Sequence, residues 1–402
     1  MRTAAESFEK VMNSAVENGR FAGANLLILR DGKELHFGSY GYANMENGIK
    51  MKRDNVFRMF SMTKPVTGVA VMQLVEQGML DLKDPVEYYL PGFAKPRVAV
   101  LDEEAPDGDA RGKSFHIEPA RRSVTIADLM NMTSGVAYPG IEGPAQIEAA
   151  QCMDFWIENL RSWDKPGTVD IANAFGKCPL AFHPGERWMY GFSADVLGGV
   201  VEVVSGRSFG DYLRDEIFKP LGMNNTGFAP TSAMRKRMTE AYESNPEHPG
   251  VLRAYKDMNL GMGDYPDRPL FESGGAGLLS TIDDYAKFAM MLANEGEFGE
   301  KRILSKNAVR FLRTNQLTDE QMASLNWDSM AGHGYGNLFR VLLDPAAFQT
   351  TAPAGEFCWD GWMGTYFVVE PASKTIILFF RQHTGSGFDD VTRIVRNIAY
   401  SM

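Results

Sequence analysis

The chain has 402 residues, 44% of them hydrophobic, with 41 basic and 51 acidic side chains and a formal net charge of −10. This length is enough for a sizeable buried core and for two or three domains' worth of chain. The acidic balance, with no basic run interleaved with aromatic residues, argues against nucleic-acid binding. An acidic enzyme and an acidic binding protein both fit these numbers.

Three cysteines, Cys152, Cys178 and Cys358, lie far apart and form no CxxC motif. Such a sparse, odd count is not a disulfide framework, so we expect free thiols and neither a metal nor a cofactor. The N-terminal segment is charged throughout and lacks the apolar region of a secretory signal. No stretch approaches the roughly 18 apolar residues of a membrane span. We therefore expect a cytoplasmic protein that does not enter a membrane.

The predicted elements follow from hydrophobic periodicity and from turn and stop residues. In chain order they are a helix over residues 3–18, strands over Ala24–Leu29 and Glu34–Tyr42, helices over Val66–Gln77, Ser193–Val204, Ser208–Phe218 and Asp283–Asn294, strands over Leu338–Leu343, Gly364–Val369 and Thr375–Phe380, and a helix over Asp389–Ser401. The predicted fold class is therefore α+β. Residues 1–80 and 272–402 together form an antiparallel sheet flanked by helices, and residues 81–271 form a mainly helical lobe.

The segment Ser61-Met62-Thr63-Lys64 opens the helix predicted over Val66–Gln77. Ser at i and Lys at i+3 lie on one helix face, so the amine can reach the hydroxyl. A serine becomes a good nucleophile when a neighbouring base takes its proton. A lysine acts as that base when burial lowers its pKa towards ~7–8. A plain N-cap serine is the alternative, and the local residues leave both interpretations open.

Two other serine motifs compete with this one. The S-x-x-K spacing recurs at Ser7–Lys10, in a terminal amphipathic helix, and at Ser162–Lys165, directly before a Pro-Gly pair. Gly206–Gly210 matches the G-x-S-x-G of a nucleophile elbow, which requires a preceding strand. Here a helix precedes the motif, so we predict that its first glycine ends that helix and that Ser208 caps the next one. Only Ser61 joins a strand to an apolar helix.

An ordered set of segments resembles the serine β-lactamase-like family, which includes class C β-lactamases, DD-peptidases and family VIII carboxylesterases. The matching segments are Phe57–Gly78, Val124–Val136, Pro184–Gly206, Pro220–Met223, Gly274–Phe288 and Gly334–Gly336. They occur in the family's order over nearly the whole chain. The resemblance implies a β-lactamase/transpeptidase-like fold and a serine hydrolase that works through an acyl-enzyme.

The resemblance also implies roles for individual residues. Ser61 corresponds to the acylated nucleophile and Lys64 to the adjacent base. Tyr190 corresponds to the tyrosine that shares a proton with the lysine and protonates the leaving group. The implied oxyanion hole consists of the backbone N–H groups of Ser61 and Trp362, with Gly361 allowing close approach of the backbone.

Aromatic side chains are implied as the lining of an acyl or alcohol pocket, although at least one of them is expected to be core packing. They are Trp359, Trp362, Tyr366 and Phe192.

The chain departs from the class C pattern in two places. Gly191-Phe192 follows Tyr190 where class C enzymes have Ser-Asn, and Trp359-Asp360-Gly361 stands where they have K-T-G. The latter resembles the W-G-G of family VIII esterases. A literal His383-Thr384-Gly385 follows the last predicted strand and is interpreted as a loop. Without the lysine of the third motif, the site lacks a cation for a substrate carboxylate, which favours neutral esters.

The leading hypothesis is a carboxylesterase for small neutral esters. A β-lactamase, a D-amino-acid peptidase or amidase, and an acyltransferase of the same fold stay open. A non-catalytic binding or sensor module is the alternative from another class. The expected partner is a small-molecule ester or amide, with no nucleic acid and no membrane, and the sequence does not determine the oligomeric state.

Overall fold

The computed structural model describes residues 3–103, 107–159, 167–256 and 269–402, with the backbone alone for 154–159. The α-helices within these ranges are α1 Ala4–Glu17, α2 Thr63–Glu76, α3 Ile126–Met130, α4 Pro144–Asn159, α5 Thr168–Lys177, α6 Ser193–Ser205, α7 Phe209–Leu213, α8 Lys219–Leu221, α9 Ser232–Arg235, α10 Ile282–Ala293, α11 Lys306–Leu312, α12 Asp319–Met322 and α13 Asp390–Tyr400. No described helix combines the length and apolarity that crossing a bilayer requires.

The strands in the same ranges are β1 Gly23–Arg30, β2 Lys33–Asn44, β3 Ile49–Lys50, β4 Phe57–Arg58, β5 Arg97–Leu101, β6 Phe115–Pro119, β7 Tyr242–Ser244, β8 Leu252–Ala254, β9 Leu279–Ser280, β10 Glu297–Phe298, β11 Lys301–Arg302, β12 His333–Gly336, β13 Phe339–Leu342, β14 Phe357–Asp360, β15 Tyr366–Glu370 and β16 Thr375–Arg381. Eight of them form one sheet in the order β12-β13-β14-β15-β16-β1-β2-β3.

The pairing of β1 with β16 joins the two ends of the chain. It is antiparallel and runs from Ala24 opposite Arg381 to Arg30 opposite Thr375. The other neighbours in the sheet are antiparallel as well. The α+β prediction, with one antiparallel sheet built from both terminal segments, is therefore confirmed.

The two faces of this sheet pack against different helices, because successive side chains of a strand point to opposite sides. Leu27 and Leu29 of β1 belong to a large cluster that includes α2, α6 and α10, and we call this side the near face. Leu26 and Ile28 belong to a smaller cluster with α1 and α13, which we call the far face. Both faces are thus covered, and strands such as β16 are buried along their whole length.

Helix α2 lies at the centre of the near-face core. Every residue from Thr63 to Leu74 is buried, as expected of a helix that is apolar on all sides. The polar residues of its first two turns, Thr63, Lys64 and Thr67, are therefore surrounded by protein, and each must find its hydrogen-bond partners there.

One predicted element differs in the structure, and several short strands were not predicted. The helix predicted over Ser208–Phe218 is α7 followed by a π-helical turn, Arg214–Phe218. The middle of the chain also contains short antiparallel hairpins, β5–β6 and β7–β8. In addition, β14 was not among the predicted strands, because its short run precedes a glycine turn. The motif Ser162–Lys165 lies outside the described residues.

The three cysteines are free, as predicted. Cys152 of α4 and Cys178 at the end of α5 are nevertheless neighbours, with their Sγ atoms 2.6 Å apart. Cys358 lies separately on the far face of the sheet.

Candidate active site

Ser61 lies in a sharp turn between a strand and a helix. Strand β4 pairs with β9 and ends at Arg58, a 3-10 turn covers Phe60–Met62, and α2 begins at Thr63. Phe60 has φ of 47°, a conformation that is strained for a bulky side chain and is found mainly where function or packing requires it. The turn leaves Ser61 partly exposed at the start of the buried helix.

Lys64 is completely buried beneath Ser61. Its Nζ lies 3.1 Å from the Ser61 Oγ, 3.1 Å from the Tyr138 hydroxyl and 2.8 Å from the Gly275 carbonyl oxygen. The carbonyl oxygen can only accept a hydrogen bond, whereas both hydroxyls can donate to an uncharged amine. This arrangement therefore suits the neutral form as well as the ammonium form of Lys64.

The first turns of α2 are hydrogen-bonded to the backbone of residues 274–278. The Thr63 hydroxyl accepts from the Leu278 N–H at 3.1 Å, and Thr67 donates to the Gly274 carbonyl at 2.7 Å. A Cβ on Gly274 would lie 2.3 Å from the Ala194 carbonyl oxygen. The Gly-Gly pair thus lets this segment pass between α2 and α6, where it holds the position of Lys64.

The pKa of Lys64 is lowered to about 7. Burial is the cause, because removal from water penalises the charged ammonium. The negative charges of Asp195 and Asp360 oppose the shift without cancelling it. Near neutral pH, Lys64 is therefore divided between a base that can take a proton and an ammonium that can return it.

Tyr190 is a second residue next to the nucleophile. The Lys64 Nζ is 4.5 Å from the centre of its ring, and the Trp359 indole N–H donates to its hydroxyl at 3.3 Å. Burial raises the pKa of Tyr190 far above that of a free phenol, and hydrogen bonds with Ser61 and Trp359 oppose this shift only in part. The phenol is thus protonated at neutral pH and next to the serine.

Gly361 and Trp362 follow β14 and bring a second stretch of backbone to the nucleophile. A Cβ on Gly361 would lie 2.4 Å from the Met59 carbonyl oxygen and 2.2 Å from the Thr365 hydroxyl. The Trp362 ring packs edge-on against Phe60, with centroids 5.5 Å apart. Only glycine at 361 therefore lets the two backbone segments on either side of Ser61 touch.

The remaining predicted aromatic residues, Phe192 and Tyr366, are packed in the core. Phe192 is fully buried, stacked on Phe175 at 4.1 Å and edge-on to Tyr138 at 4.4 Å. Tyr366 lies on the far face, where its ring packs against Phe388. Trp359 is on the near face, where its indole contacts Tyr190. The structure thus brings Ser61, Lys64, Tyr190, Trp359, Gly361 and Trp362 together and leaves Tyr366 on the opposite face. Phe192 is also on the near face, buried behind Tyr138.

The competing motifs serve structural purposes. Ser208 caps α7 by accepting from the Asp211 N–H, and Gly206 ends α6 with φ of 67°, as predicted. Ser7 donates to a carbonyl within its own helix. His383 lies in the loop after β16, between the hydroxyls of Ser244 and Ser386.

Sequence reasoning missed three residues that surround Lys64. They are Tyr138, which follows the Val124–Val136 segment by two residues, Gly275, and the buried Asp195 of α6. Tyr138 and Gly275 contact Lys64 across 74 and 211 residues of sequence. Local spacing cannot reveal such contacts, although a Gly-Gly pair is typical of a close backbone approach.

No group of three or more His, Cys, Asp or Glu side chains within the described ranges is arranged to hold a metal ion. The side chains that surround Ser61 supply a buried amine and two phenols.

Comparison with known proteins identifies the family. Residues 8–400 match the profile of the family described as Beta-lactamase. The chain belongs to this family. It is 30% identical to esterase EstB of Burkholderia gladioli over 99% of this chain and 95% of that protein, and 28% identical to lovastatin esterase of Penicillium rubens over 89% and 84%.

The fold agrees with this assignment. The solved structure of EstCE1, described as a hydrolase with promiscuous acyltransferase activity, superposes with a TM-score of 0.79 at 24% identity, covering 99% of this chain and 98% of that one. Family membership and these relatives identify the protein as a serine hydrolase of the β-lactamase fold.

Proposed function

We propose that this protein is a carboxylesterase that hydrolyses small neutral esters through an acyl-enzyme formed on Ser61. The observation that carries the proposal is the buried Lys64 amine, 3.1 Å from the Ser61 Oγ, with its pKa lowered to about 7. A general base is most effective when its pKa lies near the working pH. An ordinary surface lysine, with a pKa of about 10.4, would be protonated almost entirely.

In the first half-reaction, the Ser61 Oγ attacks the ester carbonyl while its proton passes to Lys64. The tetrahedral oxyanion is stabilised by the backbone N–H groups of Ser61 and Trp362, each contributing about 3 kcal/mol. The contact between the Gly361 and Met59 backbones supports this role, since it places the two N–H groups on neighbouring segments. Tyr190 protonates the departing alcohol and recovers its proton from Lys64.

In the second half-reaction, water attacks the acyl-enzyme and transfers a proton through the same Tyr190 and Lys64 groups. The bond between the acyl carbon and the Ser61 Oγ then breaks, and the Oγ takes up a proton, which restores the free enzyme. The same cycle with an alcohol or amine in place of water gives acyl transfer. The β-lactamase, peptidase and amidase alternatives differ in the bond that is attacked.

The preference for neutral esters rests on Trp359. This residue stands where a K-T-G motif would place a lysine, and its indole N–H donates to Tyr190. An indole offers a hydrogen bond and an apolar surface but no charge to balance a substrate carboxylate. The proposal also places the protein in the cytoplasm, which the three free thiols support.

The test is hydrolysis of p-nitrophenyl butyrate, together with labelling by a fluorophosphonate, in the wild type, Ser61→Ala and the matched control Ser208→Ala. The proposal predicts turnover and one covalent label in the wild type and in Ser208→Ala, and neither in Ser61→Ala. Labelling that persists in Ser61→Ala would refute the assignment of the nucleophile. Turnover of nitrocefin or D-amino-acid amides with no ester hydrolysis would refute the substrate class.

A further inference from the structure

A buried carboxylate that the mechanism above does not use lies behind Lys64. Asp195 is in the first turn of α6 and its residue surface is only 3% exposed. It accepts hydrogen bonds from the Ser273 hydroxyl and from the Gly275 N–H, the latter at 3.2 Å. Buried carboxylates are costly unless their oxygens are bonded and a positive charge lies near.

Gly275 connects Asp195 to Lys64. Its N–H binds the carboxylate, and its carbonyl oxygen accepts from the Lys64 Nζ at 2.8 Å. A Cβ at this position would lie 2.4 Å from the Asp195 Oδ2, so glycine is required for the carboxylate to approach. One residue therefore carries the contact from the aspartate to the amine.

We propose that Asp195 is a positioning residue for Lys64: it fixes the Gly275 backbone that holds the amine, and its charge stabilises the ammonium formed when Ser61 gives up its proton. This inference rests on the proposed function, because it assumes that Lys64 is the base for Ser61. The arrangement resembles in logic a carboxylate that orients a catalytic imidazole and stabilises its charged form.

The charged and titratable groups that face Lys64 are few among the described residues. Asp195 approaches from α6 and Asp360 from the end of β14, and both raise the pKa of Lys64 against the larger effect of burial. The phenols of Tyr138 and Tyr190 complete the set and are neutral at ordinary pH, since burial raises the pKa of each. Burial raises the pKa of Asp195, while Lys64 and the hydrogen bonds from Ser273 and Gly275 favour its charged form. Loss of that charge lowers the pKa of Lys64.

The experiment is the pH dependence of kcat/KM for p-nitrophenyl butyrate in Asp195→Asn. Asparagine has nearly the same shape and keeps an oxygen that accepts from Ser273 and Gly275, so it removes mainly the charge. The lysine then loses its proton at lower pH, and the acidic limb of kcat/KM should move down by roughly one pH unit. The plateau should fall by roughly threefold to tenfold, because a weaker base accepts the serine proton less readily.

The matched control is Asp128→Asn. Asp128 is also buried at the start of a helix, where it caps α3 and pairs with Arg122. Its replacement should lower the melting temperature and leave the acidic limb in place. Asp195→Ser is a second uncharged replacement, for use if the asparagine variant does not fold. If turnover is too slow to measure, the pH dependence of the rate of fluorophosphonate labelling at Ser61 gives the position of the acidic limb.

A wild-type acidic limb in a folded, active Asp195→Asn enzyme would overturn the inference while leaving the proposed function intact. An equal shift in Asp128→Asn would also overturn it, since the effect would then not be specific to Lys64. Absence of Ser61-dependent turnover and labelling in the wild type would overturn the proposed function itself and this inference with it.

Discussion

The two faces of the central sheet bury cations in opposite ways. On the far face, Arg381 pairs with Asp389 at 2.7 Å, Arg340 with Asp360 at 2.9 Å, and Arg396 with Glu356. On the near face, Lys64 is equally buried, yet its hydrogen bonds within the described residues go to Ser61, Tyr138 and Gly275, none of which is charged.

This difference separates stability from reactivity. A buried charge held by a bonded carboxylate stays charged, because both partners would be destabilised alone. A buried amine without such a partner gives up its proton more easily. The buried cations of the far face are therefore neutralised by carboxylates and contribute to stability. Lys64, the buried cation of the near face, can still gain and lose its proton.

The largest effect is expected from Lys64→Met. We predict that kcat/KM falls by about 10²–10⁴-fold, the usual contribution of a general base. The free energy of unfolding should fall by about 1–3 kcal/mol, because the variant leaves the buried Gly275 carbonyl without its donor. Ester hydrolysis and urea unfolding measure the two quantities. A large loss of stability would mean that Lys64 is structural, like the far-face arginines.

The opposite result is expected from Arg396→Met on the far face. It leaves Glu356 buried without its cation, which should lower the free energy of unfolding by about 3–5 kcal/mol. The kcat/KM of the folded variant should equal that of the wild type. As a control, the double variant Arg396→Met/Glu356→Leu should recover part of the lost stability in the same urea titration. If the double variant recovers no stability, the loss in Arg396→Met does not come from leaving Glu356 buried without its cation.

The two phenols on the near face should differ in importance. Tyr190 contacts both Ser61 and Trp359, whereas Tyr138 contacts the amine of Lys64. We predict a loss of about 10²-fold in kcat for Tyr190→Phe, as for a lost proton donor, and less than about tenfold for Tyr138→Phe, which removes one hydrogen bond. The reverse order would identify Tyr138 as the proton carrier.

The smallest effect on the pH dependence of activity is expected from Asp360→Asn, at a residue that links the two faces. Asp360 is paired with Arg340 on the far face, yet its charge raises the pKa of Lys64. Its loss should therefore move the acidic limb of kcat/KM to lower pH, by roughly a few tenths of a unit, because Arg340 already balances most of the charge. A shift to higher pH would contradict the electrostatic account.

Much of this arrangement could be predicted from the sequence. The Ser61 and Lys64 pair follows from helical spacing, and the joining of both chain ends into one sheet follows from strands at each end. The resemblance placed Tyr190 and Gly361, which the structure brings to the same turn. In each case a contiguous segment carries the information.

The missed residues share one property, which is that their roles depend on tertiary contacts. Asp195 is linked to Lys64 by hydrogen bonds through Gly275, and nothing in its own helix marks it as different from a first-turn acidic residue. Tyr366 illustrates the same limit, since the register of β14 with β15 decides which face it occupies. An aromatic residue near a motif is core or pocket according to packing that the sequence does not encode locally.

The most direct test of the account is the pH dependence of kcat/KM in the wild type between pH 5 and pH 9. If the buried Lys64 is the base, its neutral form is the active one, so activity should fall about tenfold per pH unit below an acidic limb centred near pH 7. Activity that is constant down to pH 5, or that rises only near the ordinary lysine pKa of about 10.4, would contradict it.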